Sequence, residues 1–206
     1  MIALGKLSIH ARAGILALPF MVCLPLALAG LDESSGLAYS RTALMEKGQY
    51  WRLLTAHLVH TDLPHALLNL AAWPLIFWLA QSRLSGCQWM TGLLFCAFGV
   101  SVGLWFFSPT VQWYVGLSGV LHGLLVLSAL TVWWQQPVLT LLVLLGVIIK
   151  LLWEQTQGSL PGSAVWIGHP VIVDAHLFGA LAGMLYFFLH QPLLVCFSKI
   201  SRWQKR

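Results

Sequence analysis

The chain has 206 residues, 59% of them hydrophobic and 8% charged; a soluble domain carries about 25% charged residues, so a water-soluble globular protein is excluded. The formal charge of +5 comes largely from short segments flanking apolar runs, which speaks to membrane orientation and anionic lipid rather than to nucleic acid. At roughly 20 residues per span the length holds about six helices and leaves nothing for a soluble domain, so residues 1–206 read as one all-α, polytopic membrane domain.

Six apolar spans are predicted, at 13–31, 63–82, 89–107, 117–134, 138–154 and 170–195, with short connections except for 32–62, which holds much of the charge. The first span follows Lys6, His10 and Arg12 and ends in Ala27-Leu28-Ala29, as a cleavable signal peptide does. It contains two prolines and stops at Asp32-Glu33, and we read it as a retained helix because the chain otherwise lacks an N-terminal anchor. Span 2 carries His65 and Asn69 in its first two turns. Span 3 carries Gly92, Gly99 and Gly103, which read as helix-packing positions. Span 4 opens on Gly116-Leu117-Ser118-Gly119, span 5 bears Lys150 and Glu154 near one end, and span 6 places His176 in its second turn. Four cysteines are scattered singly, without a disulfide framework or zinc spacing.

Positive charge sets the orientation. Lys6, Arg12, Arg83, Lys199, Arg202, Lys205 and Arg206 fall on one side of a six-span arrangement. Arg41, Lys47 and Arg52 fall on the other, offset by Asp32, Glu33, Glu46 and Asp62. Both termini are therefore expected in the cytoplasm and the loop 32–62 outside. Spans 2, 4 and 6 then run from outside to inside, so His65, Asn69, Ser118 and His176 meet at one depth in the outer third of the bilayer.

That meeting has a chemical reading. A serine hydroxyl is a poor nucleophile until a base takes its proton, and a neutral imidazole is the usual base. The intermediate of acyl transfer needs donors at its oxyanion, commonly backbone N–H groups at a helix start plus a side-chain amide or His. Ser118 stands at such a start, and Gly116 and Gly119 permit close backbone approach. His65 and Asn69, four apart, share one helix face. No acidic residue obviously completes a triad: Asp174, two before His176, points elsewhere on a helix. A Ser–His dyad is the expectation.

Gly116-Leu117-Ser118-Gly119 followed by Gly123 resembles the GxSGxxxG element of rhomboid intramembrane serine proteases. Ala175-His176-Leu177-Phe178-Gly179 with Gly183 resembles their AHxxGxxxG helix. Trp51-Arg52 and the series His60, His65, Asn69 resemble the family's WR element and HxxxxHxxxN pattern. Within the family, the stretch from Tyr50 to His57 and the Gly-Leu-Ser-Gly-Val-Leu-His-Gly element are most similar to rhombosortases. The resemblance implies a six-helix rhomboid-like bundle in the bacterial inner membrane, with its active site opening to the periplasmic side. It implies Ser118 as nucleophile, His176 as base, and His65, Asn69 and the Ser118 backbone as oxyanion hole. Its substrates would be single-pass membrane proteins, with C-terminal Gly-Gly, apolar-helix and basic-tail signals for the subfamily; no metal or organic cofactor is implied.

One position departs from the pattern. Many rhomboids carry an aromatic residue four after the serine, stacked on the catalytic histidine, and this chain has His122 there. It is read as a stacking or hydrogen-bonding group, with an auxiliary base as the rival. His60 is expected to organise the outer loop and Trp51-Arg52 to anchor it at the interface. Lys150 and Glu154, four apart, are read as a paired interfacial couple, the alternative being contact with substrate. His57, His60 and His65 lack metal-site spacing. Two other classes are weaker: an inactive client-binding relative, since both Ser118 and His176 are present, and a small transporter, since no repeated half-structure is visible.

Overall fold

The computed structural model describes residues 8–30, 35–81, 83–161 and 169–203, with backbone alone for 191–203. Lys6, Asp32, Glu33, Lys205 and Arg206 lie outside the described residues, as do the side chains of Cys196, Lys199 and Arg202.

Helix starts follow local chemistry. Ser8 caps α1 (Ile9–Leu28) through its hydroxyl, Asp62 caps α4 (Leu63–Ala80), and a Ser85/Gln88 capping box opens α5 (Gly86–Phe107). The connection between α1 and α4 is folded: it contains β1 (Tyr39–Ser40), α2 (Arg41–Lys47) and α3 (Arg52–Thr55). After α5 comes β2 (Trp113–Tyr114), antiparallel to β1 with Tyr39 opposite Tyr114 and Ser40 opposite Trp113. Then follow α6 (Ser118–Thr131), α7 (Pro137–Gln157) and α8 (Asp174–Trp203). The helices α1, α4, α5, α6, α7 and α8 occupy the six expected spans, and the chain is a multi-pass membrane protein of all-α, rhomboid-like architecture.

The helix α6 is the hub. Gly92, Leu124 and Leu127 tie it to α5, and its other side meets α8 along a seam of glycines. A Cβ on Gly119 would stand 2.7 Å from the Ala175 carbonyl oxygen, and one on Gly123 2.5 Å from that of Gly179. In return, Gly179 and Gly183 face the carbonyls of Gly119 and Gly123 with no room for a side chain. Small residues thus let two backbones touch. The helix α1 joins the bundle where the indole N–H of Trp73 donates to the Ile15 carbonyl at 3.2 Å.

The 14 residues of α6 rise about 21 Å at 1.5 Å per residue, against a hydrocarbon core of about 30 Å. The helix is therefore shorter than the core, and the chain from the end of α5 through β2 leads into it. Arg41 holds that chain in place. Its guanidinium donates to the carbonyls of Leu104, Trp105 and Ser108 at the end of α5 and to Val111 beyond it, and lies 4.8 Å over the Trp105 ring. This is the reciprocal of an N-cap: a cation satisfying the orphan carbonyls of a helix C-terminus.

Candidate active site

The backbone at Gly116 adopts φ +118°, and a Cβ there would meet the His65 ring at 2.9 Å, so both conformation and space require glycine. This turn delivers the chain into α6 without a side-chain cap. The Leu117 N–H is taken by His60 Nε2 at 3.4 Å and the Gly116 N–H by the Ala56 carbonyl at 2.9 Å. The loop is thereby stitched to the start of α6. His60 must be neutral to accept that bond. Burial, helped by His65 and His57, pushes it from the usual 6.5 down to about 3.

Ser118, at the N-terminus of α6, faces His176, near the N-terminus of α8, with Oγ and Nε2 3.0 Å apart. His176 is 5% exposed. On one face its ring is covered by His122, 4.2 Å between centroids and 20° from parallel. His122 Nδ1–H donates to the Ser118 carbonyl at 2.7 Å, which fixes that ring in turn. Of the roles open to His122 from sequence, this is the stacked arrangement.

The other nitrogen of His176 meets a carboxylate: Nδ1 lies 2.9 Å from Glu154 Oε2. The second carboxylate oxygen of Glu154 receives Lys150 Nζ at 2.5 Å. Lys150 and Glu154 are paired, as their spacing suggested. Glu154 is 3% exposed, each of its oxygens is engaged, and with Lys150 it borders the cavity that Ser118 and His176 line. The sequence reading missed this contact because Glu154 and His176 lie 22 residues apart on different helices, where spacing carries no signal. The available hint was a Lys–Glu pair inside an apolar span, which is rarely idle. Asp174 is indeed turned away, accepting from Ser108 Oγ at 2.5 Å.

His65 and Asn69 lie on one face of α4 across a cavity of about 180 Å³ that Ser118, His122 and His176 also line. Asn69 Nδ2 is buried with no hydrogen-bond partner among the described residues, a donor awaiting an acceptor. His65 is differently placed. The Thr61 hydroxyl lies 3.1 Å from both Asp62 Oδ2 and His65 Nδ1, and the His65 ring stands against the turn at Gly116 as well as lining the cavity.

Trp51 and Arg52 stand apart from the cavity and brace the loop. The Trp51 indole donates to the Gly36 carbonyl at 3.1 Å, and Arg52 to the carbonyls of Ala38 at 2.6 Å and Ser35 at 3.4 Å. A second serine–histidine pair, His57 Nε2 and Ser101 Oγ at 3.1 Å, is structural. The Ser101 proton goes to the Leu53 carbonyl at 2.6 Å, and Ser101 is fully buried. That pair pins the loop to α5.

No curated protein matches the chain. The family model described as Rhomboid domain matches residues 47–192, a stretch that begins at the end of α2 and runs into α8. It covers well over half of the sequence, and every element of the cavity lies inside it. The chain belongs to the rhomboid family, whose fold houses intramembrane serine proteolysis of transmembrane substrates.

Proposed function

We propose that this protein is an intramembrane serine endopeptidase in which Ser118 is the nucleophile and His176 the general base. The observation that carries the reading is the 3.0 Å approach of His176 Nε2 to Ser118 Oγ at the start of α6. His176 takes the hydroxyl proton as Oγ bonds to the scissile carbonyl carbon, and the carbonyl π electrons move onto oxygen. Asn69 Nδ2 and the uncapped N–H groups at the start of α6 receive that oxyanion. The imidazolium then gives its proton to the leaving amine as the C–N bond breaks. Water repeats the sequence to release the acyl group, reaching Ser118 through the cavity lined by Thr61, Asn69 and Ile172.

The substrate is a single-pass membrane protein cut near the outer face of a bacterial inner membrane, with both termini of the protease in the cytoplasm. A substrate helix must unwind to present an extended peptide, so glycine-rich junctions are favoured. A Gly-Gly pair before an apolar helix and basic tail, the rhombosortase type of signal, suits a cavity of about 180 Å³. The test is cleavage in proteoliposomes of a fusion carrying such a signal, beside the same fusion with the pair changed to Leu-Leu. Cleavage of the first alone, lost in Ser118→Ala, supports the reading. Equal cleavage of both removes the subfamily assignment, and cleavage by Ser118→Ala removes the nucleophile.

A further inference from the structure

The dyad leaves one close contact unused. His176 Nε2 must carry a lone pair to accept the Ser118 proton, so the neutral ring carries its hydrogen on Nδ1. That hydrogen has an acceptor in line, Glu154 Oε2 at 2.9 Å. Lys150 Nζ also lies 3.3 Å from Nδ1, but two donors cannot bond one another. The ammonium belongs to Glu154 Oε1, at 2.5 Å. The opposite tautomer would set an Nδ1 lone pair against a carboxylate and leave Ser118 without a base.

We propose that Glu154 is a positioning residue for the reaction, so that the centre works as a Ser118–His176–Glu154 relay with Lys150 holding the carboxylate. This deepens the protease reading and rests on it. The His176 ring is located on three sides: Ser118 at Nε2, Glu154 at Nδ1, and the His122 ring on one face. During attack the Ser118 proton moves to Nε2, and the positive charge so formed stands beside the Glu154 carboxylate. Glu154 stays anionic and the Nδ1 proton stays on nitrogen, as in a soluble triad. Lys150 is required because a carboxylate buried without compensation is costly, and it reaches the cavity edge with 28% of its side chain exposed. Glu154 and His176 are both nearly fully buried, so little water competes for Nδ1 and a fixed acceptor is worth more there.

The experiment compares wild type, Ser118→Ala, Glu154→Gln and Lys150→Met, full-length in detergent, by rate of labelling with a fluorophosphonate and by kcat and KM on a cleaved fusion. Glu154→Gln keeps the shape but removes the charge. The expected result is a fall in labelling rate and kcat of about 10²- to 10⁴-fold with KM unchanged, and a smaller fall for Lys150→Met. Wild-type rates in folded Glu154→Gln would overturn the relay while leaving the protease reading intact. Absence of labelling in folded wild type would overturn both. A readout without a Glu154 variant is the ¹⁵N spectrum of histidine-labelled wild type, with His176 assigned by substitution to Asn. A protonated Nδ1 supports the relay, and a protonated Nε2 at rest overturns it even if Glu154→Gln does not fold.

Discussion

The helix α8 is held on two sides by seams of different construction. Against α6 it packs backbone to backbone, with Gly119, Gly123, Gly179 and Gly183 interleaved so that none admits a Cβ. Against α7 the contact is through side chains: Val126, Val147, Leu151 and Ala180 form a small cluster that ends in the Lys150–Glu154–His176 contact. Leu142, Ile149 and Leu152 of α7 face outward, over 60% exposed, where lipid would lie. The first seam carries both reacting atoms, Ser118 Oγ and His176 Nε2, and the second carries only the carboxylate behind them. Close-packed backbones have no adjustable parts, so the nucleophile and base keep their distance. A substitution in that cluster that withdraws Glu154 is expected to slow the chemistry without dismantling the Ser118–His176 pair.

Breaking the first seam should have the largest effect. Gly179→Val places methyl groups in the Gly119 carbonyl, and is expected to abolish both fluorophosphonate labelling and a monodisperse peak in size-exclusion chromatography. Retained labelling would mean that the seam is not what sets the Ser118–His176 distance.

Asn69 belongs to neither seam and separates transition-state stabilisation from both. Asn69→Ala should lower kcat by about 10²- to 10³-fold while the melting temperature stays near wild type, because the amide has no partner to lose among the described residues. An unchanged kcat would take Asn69 out of the oxyanion site.

The loop that covers the first seam should be sensitive to acid. Burial takes His60 to about 3 and His57 to about 4, each from 6.5. The unfolded chain therefore binds these protons first as pH drops. Their contribution to stability is complete above about pH 6.5 and is lost progressively as pH falls toward those lower values. Melting temperature should decline over that window, and less steeply in His60→Gln, whose loop no longer buries that imidazole.

The smallest effect belongs to the other end of α7, where it meets α6. Thr140 Oγ donates to the Ala129 carbonyl at 3.0 Å, and interhelical hydrogen bonds of this kind contribute about 0.6 kcal/mol. Thr140→Val should lower the melting temperature slightly and leave the labelling rate alone. A large loss of activity would mean that α7 moves as a lever, coupling its two ends.

The sequence was informative where chemistry repeats at short spacing. The six spans were legible from apolar run lengths, and Gly116 to Gly119 and Gly179 to Gly183 from small residues at helical intervals. Ser118 and His176 were legible because a serine between glycines and a histidine inside an apolar run are both out of place in lipid. Glu154 was not, because its partner lies on another helix and its nearest charged neighbour, Lys150, offered a sufficient local explanation. The surroundings of His65 were not legible for a related reason: its ring meets Thr61 and the turn at Gly116, contacts that no spacing rule tracks. Arg41 looked like a topological charge, yet its guanidinium is committed to the carbonyls that end α5.

The central claim is that Ser118 is activated by His176, and the direct measurement is fluorophosphonate labelling of the solubilised protein beside Ser118→Ala, His176→Ala and His122→Ala. The account predicts labelling in wild type and, at a reduced rate, in His122→Ala, with none in the other two. Labelling that survives in His176→Ala but vanishes in His122→Ala would contradict it and make His122 the base.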